Sequence, residues 1–164
     1  MFKSLKESGI ASDEVVLSKL PANLRRGSKG YAVIECFQEI PCNPCSVACP
    51  KDAIKPFDNI NDIPQIDYDI CDGCGICIAL CPGLAIFAVD ESYSSKNKGK
   101  AIVKIPHEFY GVQKGDRMTG LDRAGKEIEE VTVIKCIKNI SKTTVLHIEV
   151  SLENANIIRA VKVI

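Results

Sequence analysis

Tryptophan is absent from this sequence, and aromatic residues make up only 5% of its 164 positions. The hydrophobic core must therefore be built mainly from aliphatic side chains. Net charge is also absent, because 21 basic residues balance 21 acidic ones, and this excludes a globally basic surface for nucleic acid. Hydrophobic residues at 46% and charged residues at 26% are typical of a folded protein, which excludes disorder over most of the chain.

Long apolar runs are missing as well. The first 20 residues carry six charged side chains, so they contain no signal-peptide core. The longest uncharged run, residues 73–89, has 17 positions and contains Pro82, whereas a membrane span needs about 20 apolar residues. We therefore expect no membrane partner and a cytoplasmic location, where cysteines are more often metal ligands or catalytic groups than disulfides.

Charge and cysteine content divide the chain into four predicted parts. Residues 1–30 form a basic arm, and residues 31–91 carry ten acidic side chains, two basic ones and eight of the nine cysteines. Residues 92–100 are a polar, lysine-rich linker, and residues 101–164 form a small all-β domain. An acidic unit between two basic ones favours electrostatic steering of a basic partner.

The arm and the β domain carry no clear chemistry. Ser12 is a candidate cap for a short helix over residues 13–20, and the arm's basic cluster, Arg25, Arg26 and Lys29, belongs either to a solvated tail or to a segment that docks on an acidic partner. Runs rich in Val, Ile and Thr predict strands at 101–105, 117–121, 130–137, 143–151 and 157–164. Their number and turn signals favour a small barrel or sandwich, with Cys136 as a buried structural thiol.

The cysteine-rich unit contains an internal repeat with an offset of 32 residues. Each copy has the form C-x2-C-x3-C-P followed three residues later by Ala-Ile: the first begins at Cys42, with Cys45 and Cys49, and the second at Cys74, with Cys77 and Cys81. Two copies of a metal-binding hairpin, related by a pseudo-two-fold axis, explain this pattern.

The second copy is complete, because Cys71 extends it to C-x2-C-x2-C-x3-C-P. This spacing is the bacterial iron–sulfur signature, in which the fourth cysteine binds the other cluster. Gly73 and Gly75 allow the backbone to wrap closely and to direct amide groups at the sulfurs. Structural zinc sites instead prefer two C-x2-C pairs with a long gap.

In these motifs, residues 31–91 resemble bacterial two-cluster ferredoxins. The resemblance implies a pseudo-symmetric unit of two short hairpins and two short helices, and two 4Fe-4S clusters with crossed ligands. Together with the barrel-like β domain that follows, the expected fold class is α+β. One cluster would be held by Cys49, Cys71, Cys74 and Cys77. The other would be held by Cys42, Cys45, Cys81 and one further ligand.

The further ligand is where the sequence departs from the ferredoxin pattern. Glu39 occupies the position of the expected cysteine, and the nearest upstream cysteine is Cys36, in the spacing Cys36-x5-Cys42. Cys36 could bind through an enlarged loop, or Glu39 could bind through a harder oxygen donor. Alternatively the cluster could keep three ligands and lose an iron.

Catalytic motifs are not evident. The sequence has no G-x-G-x-x-G dinucleotide motif, and His107 and His147 stand alone, His147 within a predicted strand. We therefore expect a non-catalytic chain that carries electrons for other subunits.

A second resemblance rests on the run 34–45, with sequence IECFQEIPCNPC. The run is similar to the small iron–sulfur subunits of flavin-dependent dehydrogenases of anaerobic bacteria that act on proline, hydroxyproline or sarcosine. It implies flavoprotein partners in a hetero-oligomer, with the arm and the β domain as docking devices. The alternatives are a free-standing ferredoxin and a binding module whose clusters are only structural.

Overall fold

The computed structural model describes residues 3–162, which form one antiparallel sheet with short helices. The helices are α1 (Lys3–Ser8), α2 (Asp13–Leu17), α3 (Asn23–Arg26), α4 (Pro44–Ala48) and α5 (Ile76–Leu80). The strands are β1 (Tyr31–Ile34), β2 (Ile86–Asp90), β3 (Lys100–His107), β4 (Arg117–Leu121), β5 (Glu127–Lys138), β6 (Thr144–Ser151) and β7 (Ala160–Val161). The fold is therefore α+β, with few helices and a small sheet.

The sheet runs through both predicted folded units. Its strand order is β1-β2-β3-β6-β5-β4-β7, and β2 pairs with β3, for example at Val89 opposite Val103. The predicted linker, residues 92–100, thus connects neighbouring strands of one sheet and includes a 3-10 turn, Ser92–Ser95. The division into domains stays a prediction.

Four of the five strands expected after residue 100 are present with similar bounds, but the last one is much shorter. Ala155 and Ile158 are fully buried in the main core, and the backbone turns at Leu152–Asn154 to bring them there. Only Ala160–Val161 pairs as a strand, with β4, and residues 163–164 lie outside the described residues.

The expected barrel is not closed by backbone pairing in residues 3–162, because the ladders end at β1 and β7. Side chains join the two edges instead. The Glu35 carboxylate, just after β1, accepts two 2.8 Å hydrogen bonds from Arg123 and one of 2.6 Å from Arg159. Burial raises the pKa of Glu35, but the two guanidinium groups outweigh it and hold the pKa below its ordinary value.

Strand β1 is buried on both faces and separates two cores. Tyr31 and Val33 point into the main core, whereas Ala32 and Ile34 point into a second core that contains cysteine side chains. Side chains alternate along a strand, so one strand serves both cores. The cysteine-rich unit consequently packs on one face of the sheet and the main core on the other.

The arm folds onto its own chain. Ser12 caps α2 as predicted, since its hydroxyl oxygen accepts a hydrogen bond from the Val15 amide, and Val16 is buried in the main core. Arg26 pairs with Glu91 at 3.4 Å, and the Lys29 ammonium donates to the Asp69 carbonyl at 2.8 Å. Of the two alternatives for this basic cluster, these contacts disagree with a solvated tail, because Arg26 and Lys29 bind the chain's own cysteine-rich unit. Docking of the arm on an acidic partner stays a prediction.

Candidate metal centre

Two five-residue helices, α4 and α5, organise the cysteines. Cys45 lies within α4 and Cys49 directly follows that helix; Cys77 and Cys81 hold the corresponding positions in and after α5. Pro44 begins α4, and Gly75 caps α5 with a left-handed backbone, φ 93°. The two helices pack against each other, so each brings its cysteines towards those of the other.

The first group of thiols contains Cys36, Cys42, Cys45 and Cys81. Burial raises the pKa of Cys36, and the nearby thiolates of Cys81 and Cys42 raise it further. The pKa of Cys45 is raised by burial and by the same two neighbours. Cys36, Cys45 and Cys81 also pack together in the second core, and Cys42 interacts electrostatically with Cys36 and Cys45.

The second group contains Cys49, Cys71, Cys74 and Cys77. Burial, with the charges of the other three cysteines, raises the pKa of Cys77 to about 12. All four side chains line one largely apolar cavity, together with Ala32 and Ile54. The structure thus brings the cysteines together as two sets of four, each drawing a residue from the other copy of the repeat.

The donors in each group fit an iron–sulfur cluster. Four cysteine thiols are the usual ligands of a 4Fe-4S cluster, and backbone amides commonly donate to its sulfurs. The Ala32 amide donates to the Cys71 sulfur and the Ala85 amide to the Cys81 sulfur, both at 3.4 Å. Across the described residues, no three His, Cys, Asp or Glu side chains lie close enough to hold a single metal ion. A four-iron cluster is wider than one ion and takes its thiolates at separate corners.

Gly73 and Gly75 give the loop the close backbone path that the sequence predicted, whereas the amides that donate to cysteine sulfurs in the described residues are those of Ala32 and Ala85. Both have positive φ, 66° and 93°, and the loop at Gly73 passes directly against the beginning of β1. A β-carbon built on Gly73 would lie 2.6 Å from the Tyr31 nitrogen and 2.8 Å from the Gly30 carbonyl carbon. Only glycine fits this loop without moving backbone atoms.

Glu39 and Cys36 occupy different surroundings. Glu39 is exposed and lines a surface groove with Lys55 and Asp62. Cys36 is half-buried and lies with Cys42 and Cys81. The geometry therefore favours Cys36 as the donor that completes the first group.

Two cations that the sequence did not single out for the site contact the second group's loop. The Lys104 ammonium, on β3, donates to the Gly73 carbonyl at 2.5 Å and to the Cys74 carbonyl at 3.3 Å. The Arg25 guanidinium donates to the Tyr68 carbonyl at 2.6 Å and also to the Cys71 carbonyl. No local pattern could identify these contacts, because they join segments 30 to 46 residues apart.

The remaining candidates lie outside both groups. Cys136 is half-buried, less than predicted, and its sulfur donates to the Val112 carbonyl at 3.7 Å. Burial and the charges of Lys104 and Lys135 lower the pKa of His147 to about 4. Burial lowers the pKa of His107 as well. In residues 3–162, no helix has the length and apolar character needed to cross a membrane.

Comparison with known proteins agrees with this site. Residues 40–85 match the family described as a 4Fe-4S dicluster domain. The chain is 43% identical over 73 residues to pyruvate synthase subunit PorD of Methanothermobacter marburgensis, an alignment that covers 42% of this chain and 83% of that protein. No solved structure matches the chain.

Two further relatives come from Methanocaldococcus jannaschii. Its pyruvate synthase subunit PorD is 44% identical over 52 residues, which cover 32% of this chain and 58% of that protein. An uncharacterized ferredoxin is 36% identical over 63 residues, which cover 38% of this chain and 36% of that protein. The chain therefore spans little more than half of the Methanocaldococcus PorD subunit and about a third of the uncharacterized ferredoxin.

The fold, the thiol groups and these relatives define a ferredoxin-like iron–sulfur protein with two 4Fe-4S clusters. The chain belongs to the family of dicluster iron–sulfur proteins that includes the PorD subunits.

Proposed function

We propose that this chain is the electron-transfer subunit of an oxidoreductase complex in the cytoplasm, and that its two clusters have crossed ligands. Cluster 1 is held by Cys36, Cys42, Cys45 and Cys81, and cluster 2 by Cys49, Cys71, Cys74 and Cys77. The observation that carries this assignment is the gathering of eight cysteines into two sets of four. When bound, each cluster accepts and releases one electron.

The protein's own residues hold and shield the clusters. Ile54 and Ile78 are buried beside the thiols, so they keep water away from the sulfurs, and the Ala32 and Ala85 amides stabilise negative charge on Cys71 and Cys81. We also propose that the two halves of this unit are related by a pseudo-two-fold axis. The 32-residue offset and the equivalent cysteine positions in α4 and α5 support that symmetry.

The partner that we favour is an oxidoreductase acting on pyruvate, because two relatives are named as pyruvate synthase subunits. A flavin-dependent amino-acid dehydrogenase is the second candidate, and it rests on the resemblance of the run 34–45. A free-standing ferredoxin fits the cluster unit equally well, but such a carrier has no need of a persistent docking surface.

An exposed apolar surface at one end of the sheet supports a subunit role. We define the apolar tip as Phe109, Tyr110 and Ile140, on the loop after β3 and the turn between β5 and β6. The Thr143 hydroxyl donates to the Glu108 carboxylate at 3.2 Å, which holds the loop and the turn together. Tyr110 is 92% exposed and Ile140 fully exposed. Exposed aromatic residues are frequent anchors of protein interfaces.

The protein purified without oxygen should contain about eight irons and eight sulfides, and it should accept two electrons from a strong reductant. Iron and sulfide assays with a reductive titration followed by spin resonance measure this. Colourless protein that binds only zinc would contradict the assignment.

The complex isolated through a tag on this chain should reduce the clusters when its own substrate is added. We expect reduction with pyruvate, and reduction with proline, hydroxyproline or sarcosine instead would identify the flavin-dependent partner. Absorbance bleaching near the cluster bands reports the result. Reduction only by added external enzymes, with no subunit co-purifying, would indicate a free-standing ferredoxin.

Replacing Tyr110 and Ile140 together by serine should weaken association with the partner by about 30-fold, the effect of losing an interface anchor worth roughly 2 kcal/mol. The cluster content should not change, because both side chains point into solvent. Leu17→Ser, at an exposed apolar position outside the apolar tip, is the matched control. Equal losses for the control and the double variant would exclude the apolar tip as the docking surface.

A further inference from the structure

Lys104 is a cation placed against the cluster 2 loop by a strand outside the cluster-binding residues. Its ammonium donates to the Gly73 and Cys74 carbonyls, and its Cδ lies 3.4 Å from the position of a β-carbon on Gly75. In residues 3–162 no carboxylate lies within 4 Å of this ammonium. The ammonium therefore donates its hydrogen bonds to carbonyl oxygens of the loop, and the carboxylates of Asp90 and Asp72 act on it from farther away.

Arg25, in helix α3, places a second cation against the same loop. Its guanidinium donates to the carbonyls of Tyr68, Lys29, Gly30 and Cys71. It also has no carboxylate within 4 Å in the part of the chain that the structure describes. Two positive charges that form no salt bridge among the described residues thus contact the backbone of the cluster 2 loop.

Cluster 1 has no equivalent in the described residues, where no Lys or Arg side chain donates to Cys36, Cys42, Cys45 or Cys81. Arg123 and Arg159 bind Glu35, the residue before Cys36, and Arg123 also pairs with Asp13 at 3.3 Å. Their charges are therefore balanced by carboxylates. Arg159 also stacks over Phe87, which belongs to the main core on the other face of the sheet.

We propose that Lys104 and Arg25 raise the reduction potential of cluster 2 above that of cluster 1, so that the first electron settles on cluster 2. An added electron makes a cluster more negative, and a partly buried cation nearby attracts that charge more strongly than a fully solvated cation at the same distance does. This inference rests on the proposed ligand assignment. It assigns a direction to the electron path, from cluster 1 to cluster 2.

Lys104→Gln tests the proposal, because glutamine keeps a donor for the Gly73 carbonyl but removes the charge. We expect the potential of one cluster to fall by about 59 mV, which is a tenfold change in its reduction equilibrium. The other potential should stay constant, and Lys104→Arg should restore the original value. Lys135→Gln is the matched control, since Lys135 is exposed two strands away and makes no contact with the loop.

Potentials are measured by redox titration followed by spin resonance, with iron content determined for each variant. The same titration in a Cys36→Ser background identifies the shifted cluster, which must be the one that keeps four irons. Lys104→Met, close in shape to lysine, serves as a second neutral variant if glutamine lowers the iron content.

The proposal would be overturned if a neutral variant with full iron content kept both reduction potentials unchanged. Equal shifts of the potentials of both clusters would overturn it as well. Either result would leave the proposed electron-transfer function intact. A wild-type protein without two distinct four-iron signals would instead contradict the proposed function itself.

Discussion

Replacing Cys36 by serine should make one iron of cluster 1 labile and leave cluster 2 intact. Serine offers a harder and weaker oxygen donor, so we expect iron content to fall from about eight to about seven per chain after oxidation. A three-iron signal should appear in spin-resonance spectra at low temperature. The signal of cluster 2 should persist, because its four thiols, including Cys77, form a separate group.

Glu39→Gln is the matched control for this experiment, and it should have no effect on iron content. Its side chain is exposed in a surface groove, away from the thiols that surround Cys36. The opposite pattern, with Cys36→Ser silent and iron lost in Glu39→Gln, would assign the ligand to the carboxylate. If both variants are silent, cluster 1 has only three protein ligands.

Replacing Gly73 by alanine should prevent assembly of cluster 2 and destabilise the whole sheet. The left-handed backbone costs an alanine about 1–2 kcal/mol, and the contact with the beginning of β1 adds about 1–3 kcal/mol of overpacking. The β-carbon would meet backbone atoms of Tyr31 and Gly30, which have no rotamer to relieve the clash. Iron content and thermal unfolding measure the two effects.

Gly83→Ala is the control, because Gly83 follows the last cluster cysteine, has no positive φ and has open space around its β-carbon position. We expect full iron content and unchanged stability. Gly75→Ala should be intermediate, since it combines the strain of positive φ with contacts only to flexible ends of Ile78 and Lys104. Full cluster content in Gly73→Ala would show that the loop can move away from β1, contrary to the structure.

Local patterns predicted the elements whose shape depends on neighbouring residues. The cap formed by Ser12 needs only an amide three residues away. The path of the cysteine loop needs only the positive φ angles of two glycines, Gly73 and Gly75. Most strands of the second half followed from alternating β-branched residues and turn signals. The last strand was predicted too long because burial of Ala155 and Ile158 in the core outweighs the strand propensity of the residues beside them.

The resemblance to known families predicted the cofactor better than it predicted the partner protein. The complete C-x2-C-x2-C-x3-C-P run has few alternative chemical uses, and the two 4Fe-4S clusters were predicted correctly. The run 34–45 pointed to flavin-dependent amino-acid dehydrogenases, whereas two relatives are pyruvate synthase subunits. The partner protein is selected by exposed surface residues, and these residues follow no fixed spacing in the sequence.

The sequence by itself determined the chemistry of the thiols, because the spacing of three cysteines within about ten residues suits the corners of one cluster, whereas the fourth member of each group comes from the other copy of the repeat. Only the tertiary structure decided which charged side chains lie near the thiols. Arg159 meets Glu35 across 124 residues, and Arg25 meets the Cys71 carbonyl across 46. Such contacts depend on how the sheet brings β1, β3 and the last strand together, and charged residues on these elements look like ordinary solvated positions until that packing is known.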